Sequence, residues 1–436
     1  MFVSELDSNL FCSFCTKPST EVKKLIAGDA VYICDECIDL CHGILHEVPA
    51  EKRDSGTKAT GSAKKTDAVE EEIPTPRSIK NHLDQYIIGQ DVAKTAVSVA
   101  VYNHYKRLAN PVVDEVELEK SNILLLGPTG CGKTLIAQSI ARLLDVPFAI
   151  ADCTALTEAG YVGDDVESVI TKLLQNADYD VEKAQRGIVY LDEIDKKARR
   201  GETASGSRDV SGEGVQQSLL KLLEGSDIMV PAAGGRKSAS GEMYKVNTKN
   251  ILFICGGAFV GIDKIIEQEL NKGSGQIGFG AKQVGKTKLE VSALFKMIEP
   301  EHVAKYGLIP ELVGRLPILA PLSELTEDQL VTVLTEPRNA VTKQFEKLFK
   351  LDGVELTFTP DALQAVANLA RKRKTGARGL RGVIEQYLIS LQFDLPDLAK
   401  DGVTGVIIDE KVIKAGGTPE LVRTPAETPA APAAGE

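Results

Sequence analysis

Short apolar runs alternate with stretches of helical periodicity along the middle of the chain. The apolar runs are hydrophobic at nearly every position, which is typical of strands that are buried on both faces of a sheet. The predicted strands span residues 122–126, 147–150, 187–192, 250–255 and 317–320. Because helical stretches such as 133–143 separate them, the pattern predicts an α/β fold with a parallel sheet.

Beyond residue 322 the pattern changes to longer helical stretches with few strands. Helices are predicted over 327–349, 360–373 and 377–393, and short strands near 354–358 and 406–408. This part of the chain is therefore expected to form a smaller α+β domain.

Composition sets the expected domain boundaries. Residues 49–76 contain many Lys, Glu, Ser, Thr and Gly residues and no aromatic residue, so they cannot bury enough apolar area to offset their chain entropy. The last residues are rich in Pro, Ala and Thr, which is typical of a disordered tail. The predicted divisions are a cysteine-rich module 1–48, a flexible linker 49–76, a large domain 77–321, a small domain 322–417 and a tail 418–436.

The overall composition excludes several classes of protein. The chain has 436 residues, of which 43% are hydrophobic and 26% charged, so wholesale disorder is excluded. Its net charge of −11 argues against a strongly basic nucleic-acid binder. No apolar run approaches the roughly 18 residues of a membrane span, and the first ten residues carry Glu5 and Asp7 without a basic segment. We therefore expect a cytoplasmic protein, in which clustered cysteines indicate metal ligands rather than disulfides.

Two Cys-x-x-Cys pairs lie near the N-terminus, separated by 18 residues (16–33). Each pair places two sulfurs on one side of a tight turn, and two pairs complete a tetrahedral, structural Zn²⁺ site. Such a small module could not otherwise stabilise its fold. A redox dithiol pair is the alternative, and Cys41 or His42 could replace one ligand. The expected ligands are Cys12, Cys15, Cys34 and Cys37.

A glycine-rich segment follows the first predicted strand of the large domain and opens a predicted helix. It fits the pattern G-x-x-x-x-G-K-[ST], in which loop N–H groups surround phosphate oxygens and the helix N-terminus adds its positive end. By this pattern Lys133 would reach the β- and γ-phosphates, and the Thr134 hydroxyl would bind Mg²⁺. The residues expected to bind the nucleotide are Gly127, Pro128, Thr129, Gly130, Cys131, Gly132, Lys133, Thr134 and Leu135.

The third predicted strand ends in two carboxylates, Asp192 and Glu193. A strand that delivers two acids to the C-terminal edge of a parallel sheet matches a Walker B motif, with Asp192 in the Mg²⁺ shell and Glu193 polarising the attacking water. An acidic helix cap is the alternative. ATP is favoured over GTP because the sequence contains no guanine-reading N-K-x-D.

In this order of features, from the four-cysteine head to the C-terminal domain, the chain resembles the ClpX family of AAA+ unfoldases. The segment 83–90 is similar to the family segment around the adenine, which implies that Ile87 and Ile88 contact the base. The segment 307–315 resembles the one with the arginine finger, so Arg315 would reach the nucleotide of a neighbouring subunit. Gly376-Ala377-Arg378 resembles the sensor-2 motif, in which Arg378 contacts nucleotide. Without the family pattern, the sequence alone would favour an ordinary helix start and structural surface arginines, so these assignments rest on the resemblance.

The resemblance also implies residues that handle substrate and protease. Residues 160–163 and 208–214 are similar to the two pore loops of the family. Residues 234–238 are similar to the entry loop that engages substrate tags, although Ser238 stands where the family commonly has His. Asp164 and Glu167 are expected to cap the following helix. Glycines surround the tripeptide that family members dock into the protease. The implied pore residues are Tyr161, Val162, Arg208, Arg236 and Lys237, and the docking residues are Ile277, Gly278 and Phe279.

The resemblance implies an ATP-dependent unfoldase that forms a homo-hexamer. It would recognise proteins with unstructured tags, bind adaptors through the zinc module, and deliver substrates through an axial pore to a ClpP-type barrel protease. No protease nucleophile is recognisable, so intrinsic protease activity is not expected.

Two other functions share part of this sequence pattern. A ring ATPase acting on nucleic acid, such as a helicase or clamp loader with a zinc ribbon, would share the nucleotide motifs. The aromatic pore segment, the Ile-Gly-Phe tripeptide and the acidic net charge favour a protein substrate instead, with neither nucleic acid nor a membrane as partner. Glu193 argues against a zinc-dependent adaptor that binds nucleotide without hydrolysis.

Overall fold

The chain divides into two compact units, Met1–Glu70 and Glu71–Glu436, in a computed structural model. The structure describes residues 11–18, 22, 24–27, 31–35, 37–38, 73–110, 116, 118–157, 164–199, 212–231, 243–273 and 291–423.

The first unit contains an antiparallel pair of short strands, β1 (Leu25–Ala27) and β2 (Tyr32–Cys34). Ser13 extends the pairing with its main chain and its side chain. Its N–H donates to Tyr32 O at 2.7 Å, and its hydroxyl accepts from Tyr32 N at 3.0 Å. These bonds bring the first Cys-x-x-Cys turn against the strand that carries the second.

The second unit contains the remaining elements. Its strands are β3 (Ile123–Leu126), β4 (Phe148–Asp152), β5 (Leu156–Thr157), β6 (Asp164–Asp165), β7 (Ile188–Asp192), β8 (Asp227–Pro231), β9 (Met243–Asn247), β10 (Leu252–Gly257), β11 (Ile318–Pro321), β12 (Glu355–Phe358), β13 (Val403–Ile408) and β14 (Glu420–Arg423). Its helices are α1 (Pro76–Asp84), α2 (Asp91–Ala109), α3 (Lys133–Leu143), α4 (Ser168–Asn176), α5 (Val181–Gln185), α6 (Glu213–Glu224), α7 (Ile262–Gly273), α8 (Val291–Lys296), α9 (Pro300–Tyr306), α10 (Pro310–Gly314), α11 (Glu327–Thr335), α12 (Val341–Leu351), α13 (Pro360–Lys372), α14 (Ala377–Lys400) and α15 (Glu410–Ala415).

Five parallel strands form the central sheet, in the order β11–β3–β10–β7–β4. Alternate residues of each strand join different cores. On β3, Leu124 and Leu126 pack on one face and Ile123 and Leu125 on the other. Both faces are therefore buried, which explains the continuous apolar runs, and the predicted parallel α/β fold is confirmed.

The smaller domain has its own core around α11–α15 and the sheet β12–β13–β14. The predicted helix 327–349 was wrong as a single element, because the chain breaks between α11 and α12. Pro337 lies in the break, where it has no N–H to donate and restrains the residue before it. The last long helix, in contrast, continues past the predicted end at residue 393 to Lys400.

Two further differences concern the ends of the second unit. Ile73 packs against the core and α1 begins at Pro76, so the folded unit starts within the predicted linker. Residues 420–423, expected in a disordered tail, form β14 and pair antiparallel with β13. The Pro/Ala/Thr composition after residue 418 concealed a short strand, Glu-Leu-Val-Arg, that covers the edge of this small sheet.

The hairpin of β8 and β9 was not predicted from the sequence, and one predicted helix cap is wrong. In the hairpin, Ile228 and Val230 alternate toward the core, a period of two over five residues. Asp164 does not cap the next helix, because residues 164 and 165 pair with β5 as β6, and Glu167 itself holds the N-cap position of α4.

Helix α6 is anchored at its C-terminal end by a half-buried lysine. The Lys120 ammonium lies 4.5 Å from the centre of the Phe253 ring and donates to the carbonyls of Leu223, at 3.3 Å, and Thr248, at 3.0 Å. Burial lowers the pKa of Lys120 to about 7. No helix among the described residues is both long and apolar enough to cross a membrane.

The strand β14 gives the first testable prediction. A chain that ends after residue 417 loses β14 and exposes the edge of β13, whereas a chain that ends after residue 423 keeps it. We expect the shorter chain to lose about 1–2 kcal/mol of stability, because a few net ladder hydrogen bonds are removed. Scanning calorimetry of both truncations checks this, and equal transition temperatures would contradict the role given to β14.

Candidate functional site

The P-loop lies between β3 and α3, at the carboxyl edge of the central sheet. Gly130 and Gly132 have φ values of +80° and +103°, in the left-handed region that favours glycine. Gly132 is the N-cap of α3, which begins at Lys133, so the unpaired N–H groups of its first turn face the loop. The backbone is thus shaped as an anion site at a helix N-terminus.

The Lys133 ammonium is held inside this loop by main-chain oxygens. It donates to Gly127 O at 2.6 Å and to Pro128 O at 2.9 Å. The positive charge of Lys133 therefore lies within the P-loop. The thiol of Cys131 is buried beside it, and burial raises the pKa of that thiol.

Asp192, at the end of β7, has its two carboxylate oxygens directed at different partners. Oδ1 accepts from the Tyr190 hydroxyl at 3.1 Å and from Glu193 N at 3.0 Å. Oδ2 accepts from the Thr134 hydroxyl at 3.3 Å. The hydroxyl and carboxylate oxygens that a Mg²⁺ ion between P-loop and Walker B would need are therefore adjacent.

Tyr190 positions this carboxylate and was not identified from the sequence. It is fully buried, and burial raises the pKa of its hydroxyl well above the ordinary value, so that it remains a donor. Its hydroxyl lies so near Gly256 that a Cβ there would approach within 2.1 Å. Because side chains two positions apart share one face of a strand, the spacing of Tyr190 and Asp192 could have indicated the contact.

Glu193 has an unusual backbone conformation. Its φ and ψ are +56° and +37°, in the left-handed region that non-glycine residues rarely adopt. The turn after β7 imposes this geometry, and such outliers cluster at active sites. Asp195, two residues later, accepts from Ala258 N at 3.0 Å and thereby joins the Walker B turn to the end of β10.

The small domain contacts the P-loop through backbone atoms. A Cβ on Gly130 would lie 2.6 Å from Thr375 O, and one on Gly376 would lie 2.9 Å from Thr129 O. Ala377 N donates to Gly130 O at 3.2 Å. The start of α14 is consequently seated on the loop, and Arg378 follows within its first turn.

These groups enclose a cleft of about 260 Å³. Its walls come from the P-loop, the Walker B turn and the start of α14. The predicted nucleotide residues that line it are Thr129, Gly130, Gly132, Lys133, Thr134, Leu135, Asp192, Glu193 and Arg378. Pro128 and Cys131 line the adjoining cleft toward the small domain, and Gly127 packs under Leu322 O.

The predicted adenine segment lies beside the P-loop. Ile87 is buried, and its Cγ2 lies 3.8 Å from the position a Cβ on Gly132 would take. Ile88 is half-buried, and neither isoleucine is among the described residues that line the cleft. Gln90, also missed from the sequence, fixes this segment to the start of the small domain, because its amide donates to Ser323 O at 2.8 Å and accepts from Ser323 N at 2.9 Å.

Arg315 is not brought to the cleft of its own chain. It is the C-cap of the short helix α10, half exposed, and its guanidinium pairs with Glu224 at the end of α6 at 2.9 Å. Its carbonyl accepts from the buried Asn122 at 2.9 Å. Arg315 is not one of the described residues that line the cleft.

The predicted substrate and protease contacts lie outside the described residues. They are Tyr161, Val162, Arg208, Arg236, Lys237, Ser238, Ile277, Gly278 and Phe279. Cys41 and His42, the alternative zinc ligands, also lie outside the described residues.

The four predicted zinc ligands meet in the first unit. All four sulfurs lie within 4.8 Å of one another, with Cys12 Sγ 3.8 Å from Cys37 Sγ and Cys15 Sγ 3.6 Å from Cys34 Sγ. With Zn–S bonds of about 2.3 Å, the edges of a tetrahedral site are about 3.8 Å long, so the donor set fits Zn²⁺. Cys34 N donates to Cys12 Sγ at 3.3 Å. Burial raises the pKa of the Cys12 thiol, but backbone hydrogen bonds outweigh burial and lower that pKa to about 6.

Comparisons with known proteins match the chain along most of its length. Residues 10–47 match the family model of the ClpX C4-type zinc finger, residues 118–319 that of the AAA domain (Cdc48 subfamily), and residues 325–395 that of the C-terminal, D2-small domain of ClpB protein. The ATP-dependent Clp protease ATP-binding subunit ClpX of Treponema denticola is 48% identical over 406 residues, which cover 93% of this chain and 94% of that protein.

These matches confirm the predicted fold class, with an N-terminal four-cysteine zinc module, an AAA domain and a separate C-terminal domain. They also confirm ATP and Zn²⁺ as the predicted cofactors, and ATP hydrolysis as the predicted enzyme class. The roles of single residues remain predictions.

The zinc module gives the second testable prediction. The purified protein is expected to contain one Zn²⁺ per chain, and Cys34→Ser to lose it, because a structural site needs all four ligands. Metal analysis measures the content. Cys131→Ser, the same substitution in the P-loop, serves as the control and should leave zinc unchanged; equal zinc in both variants would contradict the assigned ligands.

Proposed function

This chain belongs to the ClpX family, and we propose that it hydrolyses ATP to unfold substrate proteins and deliver them to a separate, ClpP-type barrel protease. The observation that carries the proposal is the cleft where the P-loop, the Walker B carboxylates and the first turn of α14 meet. A nucleotide there would contact the large and small domains at once, so its hydrolysis can change how the two domains are held.

In the cleft, Lys133 carries the charge that meets the β- and γ-phosphates, which would compete with the carbonyls of Gly127 and Pro128 for the ammonium. Thr134 and Asp192 would hold a Mg²⁺ ion, which would supply positive charge toward the phosphates. Tyr190 and Glu193 N keep Asp192 Oδ1 engaged and leave Oδ2 toward Thr134. Glu193 accepts a proton from the attacking water, and Arg378 approaches the phosphates from the small domain.

Arg315 acts on the nucleotide of a neighbouring subunit. Its half-exposed position at the end of α10 and its absence from the described lining of its own cleft support this role. An arginine that acts in trans requires a neighbouring subunit, and a closed ring gives every subunit such a neighbour; we propose the homo-hexamer of the family. Hydrolysis would then need Lys133, Thr134, Asp192 and Glu193 from one subunit and Arg315 from the next.

Substrate handling rests on the family resemblance of segments outside the described residues. Tyr161 and Val162, with Arg208, Arg236 and Lys237, would line an axial pore and grip an extended polypeptide with an unstructured tag. Ile277, Gly278 and Phe279 would dock on the protease, and the zinc module would bind adaptors. Cysteines that serve as zinc ligands rather than as disulfides suit a reducing compartment, which supports the cytoplasm as the location. The acidic net charge supports a protein rather than a nucleic acid as substrate.

Glu193→Gln should separate nucleotide binding from hydrolysis. The amide cannot accept the proton, so the hydrolysis rate should fall at least about 100-fold, the usual contribution of a general base, while ATP affinity stays within about threefold. Phosphate release and binding of a fluorescent ATP analogue measure the two. Glu182→Gln, an exposed position on α5, is the control; a Glu193→Gln protein that hydrolysed ATP like the control would contradict the assignment.

Unfolding itself is tested with a stably folded fluorescent protein that carries a short unstructured C-terminal tag. Loss of fluorescence is expected to need ATP, to disappear in Tyr161→Ala, and to persist in Tyr161→Phe. The aromatic side chain supplies the apolar grip, and phenylalanine keeps it. No loss with several tags, together with ATP hydrolysis that DNA or RNA stimulates, would replace this proposal with a nucleic-acid motor.

A further inference from the structure

A glutamine on α6 is buried between the two catalytic segments of the chain. The side chain of Gln216 has 0% exposure. Its amide nitrogen donates to Lys197 O at 2.7 Å and to Gly307 O at 3.2 Å, and its amide oxygen accepts from Ile309 N at 2.7 Å. One amide thus satisfies main-chain groups of two segments that are more than a hundred residues apart in sequence.

On one side, Gln216 contacts the Walker B turn. Lys197 ends the single 3-10 turn Ile194–Lys197 that follows Glu193. That turn is fixed to β10 by the bond from Ala258 N to Asp195. A shift of Lys197 would therefore be transmitted over one rigid turn to the carboxylate proposed to polarise water.

On the other side, Gln216 contacts the segment that ends in Arg315. Ile309 is the N-cap of α10, and Arg315 is the C-cap of the same helix. Gly307 lies so close to the Walker B side that a Cβ on it would be 2.7 Å from Arg199 O, and its carbonyl also accepts from Arg199 N at 2.9 Å. Close backbone packing and the Gln216 amide together set where α10 begins.

The helix that carries Gln216 holds Arg315 at its other end as well. Glu224, the last residue of α6, pairs with the Arg315 guanidinium.

We propose that Gln216 is a positioning residue that fixes the Arg315 segment to the Walker B turn of the same subunit, so that the arginine a subunit presents to its neighbour depends on the state of its own nucleotide site. This inference rests on the proposed role of Arg315 in the neighbouring subunit. A glutamine that merely completed the core would influence its own subunit's stability and leave the neighbour's rate unchanged.

Mixed rings test this dependence. Wild-type chains are combined with an about fivefold excess of tester chains that carry Glu193→Gln, so that only wild-type subunits hydrolyse ATP and most receive their arginine from a tester. Testers that also carry Gln216→Leu should lower the kcat per wild-type subunit about tenfold with KM little changed, because a displacement of the order of 1 Å in a catalytic group is costly.

Two further testers define the scale. Gln217→Leu is the matched control, the same substitution one residue along α6 at an exposed position, and should leave the neighbours' rate unchanged. Arg315→Ala sets the lowest rate. If Gln216→Leu equals the Gln217→Leu control while Arg315→Ala depresses the rate, this inference is overturned and the proposed function stands. If Arg315→Ala has no effect either, the trans role of Arg315 fails and the inference fails with it.

A second measurement does not depend on ring formation. Hydrogen exchange of the Ile309 amide in the full chain should become faster in Gln216→Leu and stay unchanged in Gln217→Leu, because only the first loses the acceptor of that N–H. Unchanged protection of Ile309 in Gln216→Leu would overturn the inference.

Discussion

The side chains assigned to the nucleotide are arranged around one backbone contact, between the P-loop and the start of α14. Gly130 and Gly376 approach so closely that a Cβ on either residue would displace the backbone of the other segment. The cleft is therefore built from both domains, and its width is set by main-chain atoms rather than by adaptable side chains. A group bound there must either fit this spacing or move the small domain.

The parallel sheet supplies the other half of the arrangement. Because all five strands run in one direction, the P-loop after β3, the carboxylates after β7 and the turn after β10 emerge at the same edge. Hydrogen bonds then connect them in series, from Thr134 to Asp192 and from Ala258 to Asp195. The left-handed backbone at Glu193 is held by this network, which compensates for its local strain.

Much of this site was accessible from the sequence, since P-loop, Walker B and four-cysteine patterns are local in the chain. The strands of the sheet were predicted within about two residues, because burial on both faces leaves continuous apolar runs. Gln90, Gln216 and the contact at Gly376 were not accessible, because each joins segments that are distant in sequence, and a lone glutamine or glycine carries no period. The break at Pro337 had a visible signal, whereas β14 was obscured by the composition around it.

Helix α6 can also be considered as a rigid lever. From Gln216 to Glu224 it rises about 12 Å, at about 1.5 Å per residue. A tilt of about 5° about its buried glutamine would displace Glu224, and the guanidinium paired with it, by about 1 Å, a distance that matters for a transition-state contact. Lys120 binds the carbonyls of Leu223 and Thr248 at that end, so this anchor would move with the helix. A small rotation of α6 together with its anchor could thus determine whether a subunit's arginine is in reach of the next ATP.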